Sequence, residues 1–194
     1  ITLNYNVMEN KEVEYIIESA TVYWPRIDQP YLFEAGNKTV HCDKDVKDAA
    51  YEIDVHLDWK QAKKLNDAMK KYHEEEGTGS YVHGFYFNDP NKMGYKLPDE
   101  EAKKLPKEER TWVKKCKVKA KYKGRYTPKP TVVKANLQPC PDDFQLTSGS
   151  VCNVKVSFKE YDVGDGRVNC YPRAIQVLSL AESMERSTGF KAVE

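Results

Sequence analysis

Three stretches of this chain alternate apolar and polar residues with a period of two, and that alternation constrains the fold more than any other feature. In 151–161, Cys152, Val154, Val156 and Phe158 oppose Asn153, Lys155, Ser157 and Lys159. In 51–59, Tyr51, Ile53, Val55, Leu57 and Trp59 oppose Glu52, Asp54, His56 and Asp58. In 115–125, Cys116, Val118, Ala120, Tyr122 and Gly124 oppose a row of cations. Successive side chains of a strand point to opposite faces, so each pattern predicts a half-buried β-strand. A fourth run, 167–179, begins with Val168 and Cys170 inward, changes phase around Pro172 and continues with Ile175 and Val177. A proline at a phase change predicts a bulge or an edge strand. Asp162-Val163-Gly164-Asp165-Gly166 joins the last two runs, so 151–179 reads as a β-hairpin. An early strand over about 13–24 has Ile16, Ala20, Val22 and Trp24 in phase.

One amphipathic helix is expected over 60–72. Asp58 and Gln61 have the spacing of a capping box, and Ala62, Leu65, Met69 and Tyr72 follow at helical spacing. Residues 74–110 hold Gly77-Thr78-Gly79, Asp89-Pro90, Leu97-Pro98 and a charged run, and read as a long insertion or loop region outside the core. Its aromatic residues are Tyr81, Phe85, Tyr86, Phe87 and Tyr95. At 194 residues the expectation is a single domain over 1–194, mainly β. No apolar run approaches a membrane span.

Net charge is +1, but residues 111–194 carry +7 and residues 1–110 carry −6. The excess concentrates in 111–141, which holds nine Lys or Arg and no carboxylate. There Lys115, Lys117, Lys119, Lys121, Lys123 and Arg125 share one face, a positive ridge about 33 Å long if the strand stays straight. Crowded like charges repel, so a ligand should reward the arrangement. A phosphate backbone does so by releasing condensed counterions. Trp24, Trp112, Tyr126, Tyr161 and Tyr171, together with Lys155, Lys159, Arg167 and Arg173, add rings and charge of the kind that unpaired bases and their backbone require. Tyr122 lies on the apolar side of the row and reads as core.

Other chemistries have weaker support. The five cysteines show no C-x-x-C spacing; Cys116, Cys152 and Cys170 occupy apolar strand positions and read as small buried hydrophobes in a reducing compartment. There is no Gly-rich phosphate loop, no H-E-x-x-H and no G-x-S-x-G. His56 reads as an exposed, ion-paired residue. Asp142-Asp143 and Asp162/Asp165 could serve a metal-dependent nuclease or resolvase, yet they read as loop and turn residues. No cofactor, no metal and no catalytic residue is expected. A lysine-rich edge strand that meets a protein partner in an assembly is the remaining alternative.

The pieces Ser19-Ala20-Thr21-Val22-Tyr23-Trp24-Pro25, Tyr51-Glu52-Ile53-Asp54-Val55-His56-Leu57 leading straight into a helix, and the closing hairpin Gly149–Leu180 occur in an order that resembles the OB-fold single-stranded-DNA-binding proteins of tailed bacteriophages. The resemblance implies an elaborated Greek-key barrel that coats single-stranded DNA in phage replication and recombination, within the cytoplasm of an infected bacterium. It implies a groove across the barrel face bordered by loops at about 25–48 and 162–166. It also implies phage replication proteins as partners, usually recruited by an acidic tail; Gly189–Glu194 shows no acidic run. Self-association as a homodimer stays open. The helix follows what reads as the second strand, where the common OB order puts it after the third; 31–41 is a candidate for a missing strand.

Overall fold

The computed structural model describes residues 12–34, 38–160 and 164–182. Strand β1 (Glu14–Glu34) is followed by β2 (Lys38–His41) and β3 (Ala50–Leu57), then helix α1 (Trp59–Glu76). Next come β4 (Tyr86–Asp89), β5 (Lys92–Leu97), the short helix α2 (Asp99–Lys103) and a single 3-10 turn at Lys107–Glu109. Strands β6 (Thr111–Lys119), β7 (Lys121–Tyr122), β8 (Arg125–Tyr126), β9 (Thr131–Lys134), β10 (Val151–Glu160) and β11 (Val168–Ser179) complete the chain.

Five of these strands close a barrel. β1 pairs antiparallel with β3 and β10, β3 with β6, and β10 with β11. β11 then meets β6 in parallel, with Cys170 opposite Cys116. This is the elaborated OB-fold barrel that the resemblance implies, built from the strands that the alternation predicts. Val154, Val156 and Phe158 of β10, Ile53, Val55 and Leu57 of β3, and Cys116, Cys152 and Cys170 all point into one buried core, as the sequence predicts. The register slips around Pro172, so the phase change is a bulge.

The helix matches its sequence signal closely. Asp58 accepts from the Gln61 backbone N–H at 2.8 Å, and the Gln61 side chain accepts from the Asp58 N–H at 3.0 Å. The Gln61 amide also donates to the carbonyls of Glu18 and Ser19, pinning the helix start to β1. Ala62, Leu65, Met69 and His73 form its buried face. α1 lies between the second and third barrel strands. Residues 31–34 are the far end of β1, and β2 pairs with them, Tyr31 opposite His41, so among the described residues 31–41 adds no further barrel strand.

Three expectations change. In β1 the inward residues are Ile17, Ala20 and Val22, while Ile16 and Trp24 are exposed. The register slips between Ile17 and Ala20, where Ser19 is left-handed, and again between Tyr23 and Arg26, where Trp24 is left-handed (φ 51°). The region 74–110 joins the core: β4 pairs with β6, and Phe85, Phe87 and Ala102 are buried in the main cluster with Trp112. Finally, both faces of β3 are covered. His56 is buried, its ring stacked on Tyr23 at 4.2 Å, and burial lowers its pKa to about 4.

Candidate nucleic-acid interface

The cation row does not run straight. β6 carries Lys115, Lys117 and Lys119 on its outer face, exposed, spanning about 13 Å. The strand then breaks at the buried Ala120, and β7–β8 form a separate two-stranded ribbon. Its turn is Lys123-Gly124, both with positive φ; Gly124 makes this cheap and Lys123 does not. Lys121, Lys123 and Arg125 therefore occupy a small ribbon at the barrel end, not an extension of the β6 ridge. Because the strand period stops there, Tyr122 is no longer core: it is 61% exposed, with Lys123 5.3 Å from its ring centre.

Charge around the row is unevenly compensated. Lys119 pairs with Asp48 at 3.1 Å and Lys121 with Asp45 at 3.0 Å, both pairs half exposed. Tyr126 donates to the same Asp45 at 2.6 Å, and Lys44 lies 4.2 Å from the Tyr126 ring centre. Hydrogen bonds from Tyr126 and Lys121 hold the Asp45 carboxyl below its usual pKa. Lys117 stands opposite Glu52, whose carboxylate is taken by Arg26 at 2.7 Å. Lys115 stands opposite Asp54. Asp54 is buried and accepts from Tyr86 at 2.6 Å; desolvation raises its pKa, with Tyr86 and Lys115 opposing. Among the described residues, neither Lys115 nor Lys117 has a carboxylate within ion-pair distance.

An aromatic rim borders this surface. Along the sheet path β5-β4-β6-β3-β1, the end strands meet each other: the Trp24 ring of β1 lies against Gly94 of β5. A Cβ at Gly94 would come within 2.6 Å of that ring, so the approach needs glycine. The sheet is thus curled over its outer face, which explains why Tyr23, Asp54 and His56 are buried there. Trp24 stays 41% exposed, and its left-handed backbone is held by its N–H donating to Ser148 Oγ at 2.9 Å. Residues held in such sparsely populated conformations cluster at binding and active sites. Beside it, Tyr95 is 55% exposed with Lys92 3.9 Å from its ring centre.

The remaining sequence candidates behave differently. Trp112 is not on the ridge. Its parity is inward, it is buried against Trp59, Phe85 and Phe87, and its Nε1 donates to the Lys107 carbonyl. Tyr171 is half buried against a satellite cluster of Ala49, Tyr51, Val118 and Ala120. Lys155 pairs with Glu14 at 3.1 Å, and Arg173 with Glu12 at 2.6 Å and Ser157 at 3.1 Å. Lys159 is exposed on the same face and helps hold the Glu12 pKa down. Tyr161 lies outside the described residues. Sequence reasoning missed Lys44, Lys92, Tyr95 and the exposure of Tyr122. Lys92-Met93-Gly94-Tyr95-Lys96 carries the same basic–aromatic interleaving as 115–126 and is the signal that finds Lys92 and Tyr95.

No protein-family model and no curated protein matches the sequence. Solved structures do. The single-stranded DNA-binding protein from bacteriophage Enc34, solved in complex with ssDNA, aligns over 88% of this chain and 89% of its own, with a TM-score of 0.55 at 14% identity. Gp2.5, a single-stranded DNA-binding protein encoded by bacteriophage T7, aligns over 94% of this chain and 100% of its own, with a TM-score of 0.59 at 14% identity. This barrel has the fold of phage single-stranded-DNA-binding proteins. A C-terminal truncation of the Enc34 protein gives the same result, with a TM-score of 0.57 at 12% identity.

Among the described residues no three His, Cys, Asp or Glu side chains form a metal-holding group, and no helix is long and apolar enough to cross a membrane.

Proposed function

We propose that this protein binds single-stranded DNA without reading its sequence and coats it, non-enzymatically, during phage DNA replication or recombination in the cytoplasm of the infected cell. The observation that carries this reading is the β6 face: Lys115, Lys117 and Lys119 stand exposed in one row, bordered by the exposed rings of Trp24, Tyr95, Tyr122 and Tyr126. The cations track phosphates, and the rings stack on unpaired bases at about 1–3 kcal/mol each. The two named phage proteins of the same fold support it, since each is a single-stranded-DNA-binding protein.

The test is fluorescence anisotropy with a labelled dT oligonucleotide across a salt series, with unlabelled duplex as competitor and tryptophan emission followed in parallel. Contact with three to six phosphates gives a log–log salt slope of about −2 to −4. Quenching of emission and poor competition by duplex are expected, with the oligonucleotide remaining intact in magnesium. Absence of binding at low salt overturns the proposal.

A further inference from the structure

A second site lies off the β6 lysine face. Between α1, α2, β4 and the start of β6 is a cavity of about 400 Å³, within the size range of small-ligand pockets. Its walls are aromatic: Trp59 and Trp112 lie 4.9 Å apart, and Phe87 meets Trp112 edge-on at 4.8 Å. Its mouth is cationic. Lys107 stands 5.0 Å from the Trp59 ring centre, and Arg110 stands 5.5 Å from Phe87 and 5.8 Å from Trp112. Lys103 is the third cation lining it. Among the described residues, none of these three has a carboxylate within ion-pair distance. Arg110 is steered by its Nε, which donates to the Leu105 carbonyl at 3.0 Å and leaves the forked end without a protein acceptor among the described residues.

Two further groups line the same space, and they decide what kind of ring fits. Asn66 has its carbonyl oxygen committed to Tyr81 at 2.7 Å, so its amide N–H groups are the part left to donate. Asp99 adds an acceptor. A base edge carries donors and acceptors together and uses both; a carboxylate such as Asp99 accepts well from an exocyclic amine. A phenylalanine ring offers no edge donor to Asp99. Trp112 stands three residues before Lys115, an odd spacing, so the cavity lies about 10 Å along β6 and on the opposite face of the strand from the lysine row.

We propose that this cavity is a subsite for one unstacked nucleotide. Its base lies against the Trp59 and Trp112 rings with its edge toward Asn66 and Asp99, and its phosphate sits between Lys107 and Arg110. The proposal rests on the single-stranded-DNA reading, because it takes the nucleotide to belong to a DNA strand whose neighbouring stretch lies along β6.

The experiment is a titration with dCMP, followed by tryptophan emission and calorimetry, with deoxycytidine, inorganic phosphate and N-acetylphenylalanine as parallel probes. Saturable quenching by dCMP at millimolar concentration is expected, with weaker binding of deoxycytidine and phosphate. The Lys107→Ala/Arg110→Ala variant should weaken dCMP at least tenfold. The Lys115→Ala/Lys117→Ala variant should leave it unchanged. No saturable dCMP binding, or tighter binding of N-acetylphenylalanine than of dCMP, overturns the subsite. The dT oligonucleotide separates the two proposals: oligonucleotide binding that survives without any dCMP site sinks the subsite alone, whereas its absence sinks the coating function. Circular dichroism of both variants guards against misfolding, and both remove side chains at the surface or the cavity mouth.

Discussion

Two parts of the barrel carry the same kind of sequence and end up with different electrostatics. β6 presents Lys115, Lys117 and Lys119; the β10–β11 hairpin presents Lys155, Lys159 and Arg173. Along the hairpin, the start of β1 and the residues just before it bring Glu14 to Lys155 and Glu12 to Arg173, and Arg173 makes a second bond to Ser157. Along β6, the neighbouring carboxylates are already engaged: Glu52 by Arg26 and Asp54 by Tyr86. Among the described residues, the carboxylates that reach the row are those of the loop residues Asp45 and Asp48, at its far end. A cation count therefore does not locate a binding face. What distinguishes the two faces is whether the acids beside the cations are spent elsewhere.

The strongest test of that contrast is charge reversal. Lys115→Glu/Lys117→Glu/Lys119→Glu should weaken oligonucleotide binding at least tenfold at moderate salt and flatten the salt slope, because each lost phosphate contact removes roughly 0.7 from it. Lys155→Ala/Lys159→Ala should change affinity less than threefold. Equal losses from the two sets would erase the distinction between the strands.

The rim is the next target. Trp24→Ala should cost about tenfold in affinity, in line with the loss of one stacked base, and remove part of the emission quenching. Gly94→Ala should reproduce part of that loss by pushing the Trp24 ring aside. Full affinity in a folded Trp24→Ala variant would take the rim out of the interface.

Smaller effects test the far end of the row. Asp45→Asn/Asp48→Asn should tighten binding by about threefold, since exposed ion pairs are worth about 0.2–1 kcal/mol and these compete with phosphate for Lys121 and Lys119. Weakened binding would mean that these acids orient the lysines instead of competing for them. A control on the buried outer face concerns stability alone. His56 has a folded pKa near 4, below its ordinary value of 6.5, so the unfolded state takes up its proton first. Stability should fall as pH drops from 6.5 toward 4 and level off below. Asp54 acts in the opposite sense: its raised pKa makes stability fall as pH rises past 3.8. His56→Gln should flatten the upper part of this profile in a thermal melt followed against pH, with oligonucleotide affinity at neutral pH little changed.

Much of the barrel was legible because local rules and tertiary structure agree. The period-two runs gave β3, β6, β10 and β11 their inward residues, and Asp58 with Gln61 marked the start of α1 to within one residue, Trp59 being its first residue and not the last of β3. β1 misled because two left-handed residues, Ser19 and Trp24, each reset its phase, and neither is a glycine that would announce the break. Lys114 was invisible for another reason. It stands on the inward side of β6, buried, and its ammonium donates to the Val168 carbonyl at 2.9 Å, a partner 54 residues away. Phe85 and Phe87 looked peripheral because their partner, Trp112, lies beyond a charged helix and a turn. In the candidate interface, Lys115, Lys117 and Lys119 were readable from alternation alone. Tyr95 and Lys92 reach it only because the β4–β5 hairpin curls back to Trp24.

The barrel closes between β6 and β11 with one residue pair in register, Cys116 opposite Cys170, whereas its other joints run over many pairs. A hoop with one rivet opens there first. Amides flanking that joint should exchange with solvent well before those between β10 and β11. The lysine-bearing strand is also the one at the joint, where its ties to β11 are this one register pair and the buried bond from Lys114 to the Val168 carbonyl.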